Sequence, residues 1–163
     1  VTAVLDVNKE TWATAPRDWI EPFNAIDQEV EGFVRAWERF KATKKFKPIL
    51  IEHSLFARSG VTVFATTLDR VGLLDGRPAI VEIKTPKVAE PYWGVQLAGQ
   101  EEALVQNLGP PTTRPFKYER VVAQLFANGT HREILYRDPN DRNVFLWSLG
   151  IAVWNKNNYG ETD

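Results

Sequence analysis

The chain has 163 residues, of which 44% are hydrophobic and 25% charged, with a net charge of −1. That is enough apolar material for one globular core, and no apolar run approaches the roughly 20 residues of a membrane helix. Without cysteine, disulfides, thiolate metal sites and iron–sulfur clusters are excluded. The near-neutral charge gives no support to a protein that coats nucleic acid through bulk electrostatics, so an anionic partner must be held by local groups.

The chain also lacks methionine and begins with Val1. This implies that residues precede it in the gene product and that the N-terminal part is incomplete. No signal-peptide pattern opens the chain, and the absence of cysteine fits a reducing cytoplasm. The expectation is a single domain spanning residues 1–163, with no repeat, low-complexity tract or interdomain linker.

Val1–Val7 reads as a short strand, and Glu10–Pro22, with two tryptophans and two prolines, as irregular. From Ile26 the apolar residues Val30, Phe33, Val34, Trp37 and Phe40 recur at helical spacing, with Glu31, Arg35, Glu38 and Arg39 on the other face. Pro48 forbids continuation. Ile49–Phe56 and Val61–Leu74 read as strands joined near Ser59-Gly60. Asp75-Gly76 is a strong hairpin signal, with Pro78–Thr85 as the returning strand. Pro91 suits a helix first turn, and YWGVQLAGQEEALVQNL follows, stopping before Gly109. Phe116–Ala127 and Thr130–Arg137 form a second hairpin about Asn128-Gly129. Asp138-Pro139-Asn140 opens a last helix over Val144–Lys156. The class is mixed α/β, a central mixed sheet flanked by helices.

The stretch LDRVGLLDGRPAIVEIKT carries the chemistry. A two-residue Asp75-Gly76 loop sets Asp69 directly across from Glu82, with Cβ atoms about 4.5–5.5 Å apart. Alternation puts Lys84 on the Glu82 face. Opposed carboxylates between mostly apolar faces are destabilising, and desolvation deepens the cost. A divalent cation between them would relieve it. With a Ser59-Gly60 loop, Glu52 lies across from Thr67, one pleat from Asp69. Three carboxylates and a lysine then converge, a hard-oxygen set suited to Mg²⁺ or Mn²⁺ as one or two ions. Such ions polarise a phosphoryl oxygen and activate water, and Lys84 can stabilise developing charge. This is equipment for phosphodiester hydrolysis.

Asp69 followed by Glu82-Ile83-Lys84 across a hairpin resembles the PD-(D/E)XK nuclease motif. ATTLDRVGLLDGRPAIVEIKT with the later GVQLAGQ is similar to the RecB-type and phage exonuclease branch. That resemblance implies a restriction-endonuclease-like core and a metal-dependent exonuclease on linear DNA, of phage or recombination and repair type, in a bacterial or phage-infected cytoplasm. It also implies a recombination protein as a possible partner. Glu52, Asp69, Glu82 and the backbone carbonyl of Ile83 would lie at the metal. Lys84 would stand beside the attacking water, and Gln96 would contact DNA or orient the lysine. Thr66 replaces an expected glycine, Gln100 an expected tyrosine with its phosphate contact, and no histidine precedes His53.

Other readings of the same residues stay open. Asp69, Glu82 and Lys84 can form a structural ion-pair network, and Glu52 can face solvent on an edge strand. Gln96 and Gln100 can form a polar helix face rather than a DNA contact. Lys44 and Lys45, with Lys41 and Lys47, suit a DNA backbone or a solvated helix end. His53 reads as structural, and Trp147 and Trp154 as core. A DNA-binding module without catalysis and a scaffold unrelated to nucleic acid are the rival functions. Nothing in the sequence sets the oligomeric state.

Overall fold

The computed structural model describes residues 17–112 and 117–159, with side chains described from Val30 onward. Among these residues are three helices and five strands: α1 (Arg17–Thr43), β1 (Lys47–Ser59), β2 (Thr62–Leu74), β3 (Arg77–Lys84), α2 (Tyr92–Leu108), β4 (Glu119–Leu125), β5 (His131–Leu135) and α3 (Asn140–Tyr159). The strands form one sheet in the order β1-β2-β3-β4-β5. All neighbours are antiparallel except β3 and β4, which run parallel. Helix α2 makes the crossover that a parallel pair requires. This is the mixed, helix-flanked sheet expected from the sequence.

Alternation along the central strands divides the core in two. Ala79, Val81 and Ile83 of β3 join Val121, Ala123 and Leu125 of β4 beneath α1, where Ala36, Trp37 and Phe40 cover them. Ile80 and Val122 face the other way, onto Trp93, Leu97 and Leu104 of α2. These strands are covered on both sides, so their sequence is nearly continuous in apolar residues. A polar side chain there stands out.

The end of α1 explains one cationic residue, Lys45, and the hairpin turn follows the same positive-φ logic. Lys45 has φ 47°, and Phe46 N–H donates to Lys41 O at 2.9 Å while Lys45 N–H reaches Ala42 O at 3.4 Å. This is a Schellman closure, and Phe46 completes it by packing its ring 6.3 Å from that of Phe40. The loop between β2 and β3 is the two-residue turn expected, with φ 48° at Asp75 and 80° at Gly76. Positive φ at both central residues is what the right-handed twist of the strands selects.

Three expectations are corrected. Helix α1 starts at Arg17 rather than near Ile26; Pro22 and the loss of apolar spacing conceal its first turns. The loop between β1 and β2 is Gly60-Val61, since Ser59 pairs with Thr62. Gly60, at φ 58°, takes the first loop position without a Cβ clash, so the partners from Leu50 to Ser59 shift by two residues and Ser54, not Glu52, stands across from Thr67. Helix α3 buries none of its residues, and Trp147 and Trp154 are exposed rather than core. The expected strand Val1–Val7 lies outside the described residues.

Candidate active site

β2 and β3 hold their antiparallel pairing from Leu74↔Arg77 to Arg70↔Val81. One position further, Asp69 Oδ2 accepts the Ile83 N–H at 2.9 Å. A side chain thus takes over a ladder bond where the strands part. The same interval reverses the sides of β1 and β2. Leu50 and Val71 pack toward α2, and so do Leu55 and Leu68, each an odd number of residues away. Strict alternation would send them to opposite faces. The reversal falls on Glu52 and Asp69, and Glu52 carries it in its backbone at φ 47°, a left-handed conformation that costs a non-glycine residue on the order of 1 kcal/mol.

Glu82 lies on the α2 side and is 5% exposed. Its Oε1 accepts from Gln96 Nε2 at 2.6 Å and Lys84 Nζ at 2.9 Å, and its Oε2 from Gln100 Nε2 at 2.8 Å. Lys84 Nζ also donates to Gln96 Oε1 at 3.1 Å. Gln96 and Gln100 stand one turn apart on α2, so one helix face lowers both amides onto one carboxylate. Three donors, one of them cationic, compensate for the lost hydration of a buried carboxylate.

Asp69 is less well compensated. Its pKa is pushed up from 3.8 to about 6, first by burial and then by the charge of Glu82, with Glu52 adding to the rise; the Ile83 N–H and Lys84 pull the other way. The site therefore lacks positive charge at Asp69.

The predicted residues divide accordingly. Asp69, Glu82, Lys84 and Gln96 come together in one hydrogen-bonded and electrostatic group. Glu52 reaches Asp69 electrostatically, but its carboxylate pairs with Arg70 at 3.3 Å. Arg70 is fully buried, with its guanidinium 5.8 Å over the Trp37 ring. The convergence of three carboxylates expected from the sequence is therefore not formed, and among the described residues no three His, Asp or Glu side chains come together in a metal-binding group.

Gln100 is not a surface contact for DNA. It is fully buried, and its Nε2 bridges Glu82 and the Thr67 carbonyl oxygen, the latter at 3.1 Å. Both partners are acceptors, which fixes the amide orientation. Lys44 and Lys45 sit elsewhere. Lys44 is ion-paired with Glu133 and its carbonyl accepts from Asp75 N–H. That turn is six residues along β2 from Asp69, about 20 Å at about 3.3 Å per residue.

Sequence reasoning missed Gln124. It pairs with Lys84 across β3 and β4, is fully buried, and donates through Nε2 to Pro86 O at 2.5 Å. That bond ties down the loop leaving the lysine strand. A glutamine inside VVAQL, on a strand otherwise apolar, was the available signal. Arg70, next to Asp69 in sequence, was missed too.

A fit to a hard divalent ion can be judged from these groups. Asp69 and Glu82 supply oxygen ligands of the right kind, and the raised pKa of Asp69 marks a place where added positive charge would be stabilised. Glu52 would have to leave Arg70 to join them.

No family model and no curated protein matches this chain. A solved structure from Eubacterium rectale, described as a "Putative exonuclease", resembles it with a TM-score of 0.57 at 12% identity over 83% of this chain. This chain spans 55% of that one, about half its length. At that identity the likeness concerns the fold.

Proposed function

We propose that the protein is a divalent-metal-dependent nuclease that hydrolyses DNA phosphodiesters and works from the ends of linear DNA. The observation that carries this reading is the joining of Asp69, Glu82, Lys84 and Gln96 into one charged group where β2 and β3 part. The fold likeness to a protein described as an exonuclease supports it, as does the resemblance of the β2–β3 hairpin to the nuclease motif. A role in phage or recombination-type DNA processing belongs to the same reading.

Mg²⁺ or Mn²⁺, held by Asp69 and Glu82 with the Ile83 carbonyl and Glu52 as further oxygen donors, would polarise the phosphoryl group and favour ionisation of water. The protein's own groups do the rest. Lys84, fixed between Glu82 and Gln96, sets an ammonium where charge develops on the phosphoryl oxygens. Gln96 holds Lys84 and Glu82 in mutual register. Gln100, in the core, prevents Glu82 from rotating away. Asp69, with a pKa of about 6, holds a proton in mildly acid solution, which a cation would displace, and is mostly ionised at neutral pH.

One observation favours a structural ion-pair network instead: both oxygens of Glu82 already have donors. Incubation of linear and covalently closed DNA with Mg²⁺ or Mn²⁺ separates the readings. The nuclease degrades the linear form, stops with a chelator and is inactive as Lys84→Ala. Nicking of circles would refute action from ends. Survival of both DNAs with either ion would leave the network as architecture.

A further inference from the structure

Helix α3 has two apolar faces and uses one. Phe145 packs edge-on against Phe64 with ring centroids 5.0 Å apart, and Gly99 of α2 gives it room, since a Cβ there would come within 2.4 Å of the Phe145 ring. Arg142 adds a hydrogen bond to Glu102 at 2.6 Å. Phe145, Leu146, Leu149 and Val153 are the partly covered side. Opposite them run Val144, Trp147, Ile151 and Trp154, exposed by 38%, 67%, 60% and 54%. A helix apolar on both sides is ordinarily covered on both.

We propose that α3 is a self-association helix, through which two copies of the chain pack their Val144–Trp147–Ile151–Trp154 stripes together across a two-fold axis. Three observations select a second copy. The stripe is spaced three, four and three residues apart, the a/d repeat by which one helix meets another along a seam. Asn158 falls on the next such position, where a polar residue sets register. A symmetric pair supplies the matching stripe with no other molecule.

The flanks are electrically silent. The positions beside the seam are Asn143, Ser148, Gly150, Asn155 and Asn157. Like charges would not meet across a two-fold axis. Nor is there the run of lysine or arginine that a nucleic-acid backbone or an anionic membrane surface would need. Gly150 sits beside the seam with open space where a Cβ would project. A glycine inside an exposed helix costs about 1 kcal/mol against alanine, and close approach of a second helix gives it a use.

The area also fits. A tryptophan offers on the order of 200 Å², so with its two tryptophans, Ile151 and Val144 the stripe leaves roughly 400 Å² open. A standard interface takes about 800 Å² per partner, a little over half of it apolar. The stripe supplies that apolar share, and the neutral flanks supply the rim.

Analytical ultracentrifugation of the full chain, from about 1 to 200 µM, tests this at the affinity such an area supports. The expected result is a monomer–dimer equilibrium that the double variant Trp147→Glu, Ile151→Glu abolishes, with far-UV circular dichroism unchanged. Should that variant misfold, Ser148→Cys decides, because the protein has no other cysteine: oxidation should join two copies through it. A wild type monomeric throughout overturns the proposal, whether another part of the chain or a foreign partner covers the stripe. So does a dimer that survives the double variant. Neither result depends on the hydrolytic reading of the site.

Discussion

Asp69→Asn tests whether the site lacks positive charge. In the folded protein the carboxyl has a pKa of about 6, against 3.8 when unperturbed. The folded state therefore holds this proton more tightly than the unfolded chain. Stability contributed by the protonated form is complete below about pH 4 and is lost as pH rises through about 6. Two units correspond to about 3 kcal/mol, but the group is only half-buried, and screening brings the usable figure to about 1–2 kcal/mol. Asparagine keeps the oxygen that accepts the Ile83 N–H and removes the charge facing Glu82 and Glu52. The variant should therefore be more stable than wild type at pH 7.5 by about 1–2 kcal/mol, a rise in Tm of roughly 2–8 °C for a chain of this size. The advantage should shrink steadily toward pH 4. Urea denaturation of both proteins across that range measures it. A difference that does not change with pH, or an asparagine variant less stable at pH 7.5, would refute the electrostatic account of Asp69.

Other substitutions probe the same framework. Lys84→Met should abolish metal-dependent DNA hydrolysis while the fold persists by circular dichroism, because Gln96 and Gln100 still donate to Glu82. Gln100→Leu leaves Glu82 Oε2 and the Thr67 carbonyl without that donor, but it also removes a buried Oε1 that has no partner. The net loss should be about 1–3 kcal/mol in urea denaturation. Mn²⁺ titrated calorimetrically at pH 6, where Asp69 is about half protonated, should bind the wild type and release protons from Asp69, and Asp69→Asn should show neither effect. Gly32→Ala should cost more than about 3 kcal/mol or prevent folding, since its Cβ would lie 1.6 Å from the Ala127 carbonyl oxygen. A soluble variant with wild-type Tm would mean that α1 does not press on that loop.

What could be read in advance followed local chemistry. Asp75-Gly76 specified its turn because two positive-φ positions admit few residues, and the turn then determined every pair to Arg70 and Val81. Helix α2 was bounded by Pro91 and Gly109, and its range, Tyr92–Leu108, was the one expected. Gly60-Val61 was harder: Ser59 and Gly60 both tolerate turns, and only pairing along the whole of β1 chooses between them. Lys44 and Lys45 looked like a cationic surface because sequence does not reveal that one is paired across the sheet and the other closes a helix. Gln100 looked solvated because its burial is set by the descent of α2 onto Glu82, a tertiary fact. The exposure of α3 was opaque for a similar reason, since Trp147 and Trp154 carry a core-like spacing whether or not anything covers them.

The least legible feature is also the one on which the site depends. A sheet with strict alternation would aim Leu68 away from Val71 and leave Asp69 as one more side chain in a ladder. Instead β1 and β2 reverse together at Glu52 and Asp69, and β2 leaves β3. Asp69 Oδ2 is freed to cap the Ile83 N–H, which holds its carboxylate beside Glu82. The left-handed Glu52 and the buried Arg70 beneath it secure the turn from the other side. Local strain, opposed acids and a buried guanidinium each work against stability. Their concentration within a few residues of one another, in a sheet otherwise regular and apolar, is the physical ground for proposing a functional site there. A scaffold with no chemistry to perform could have filled these positions with valine and kept the alternation.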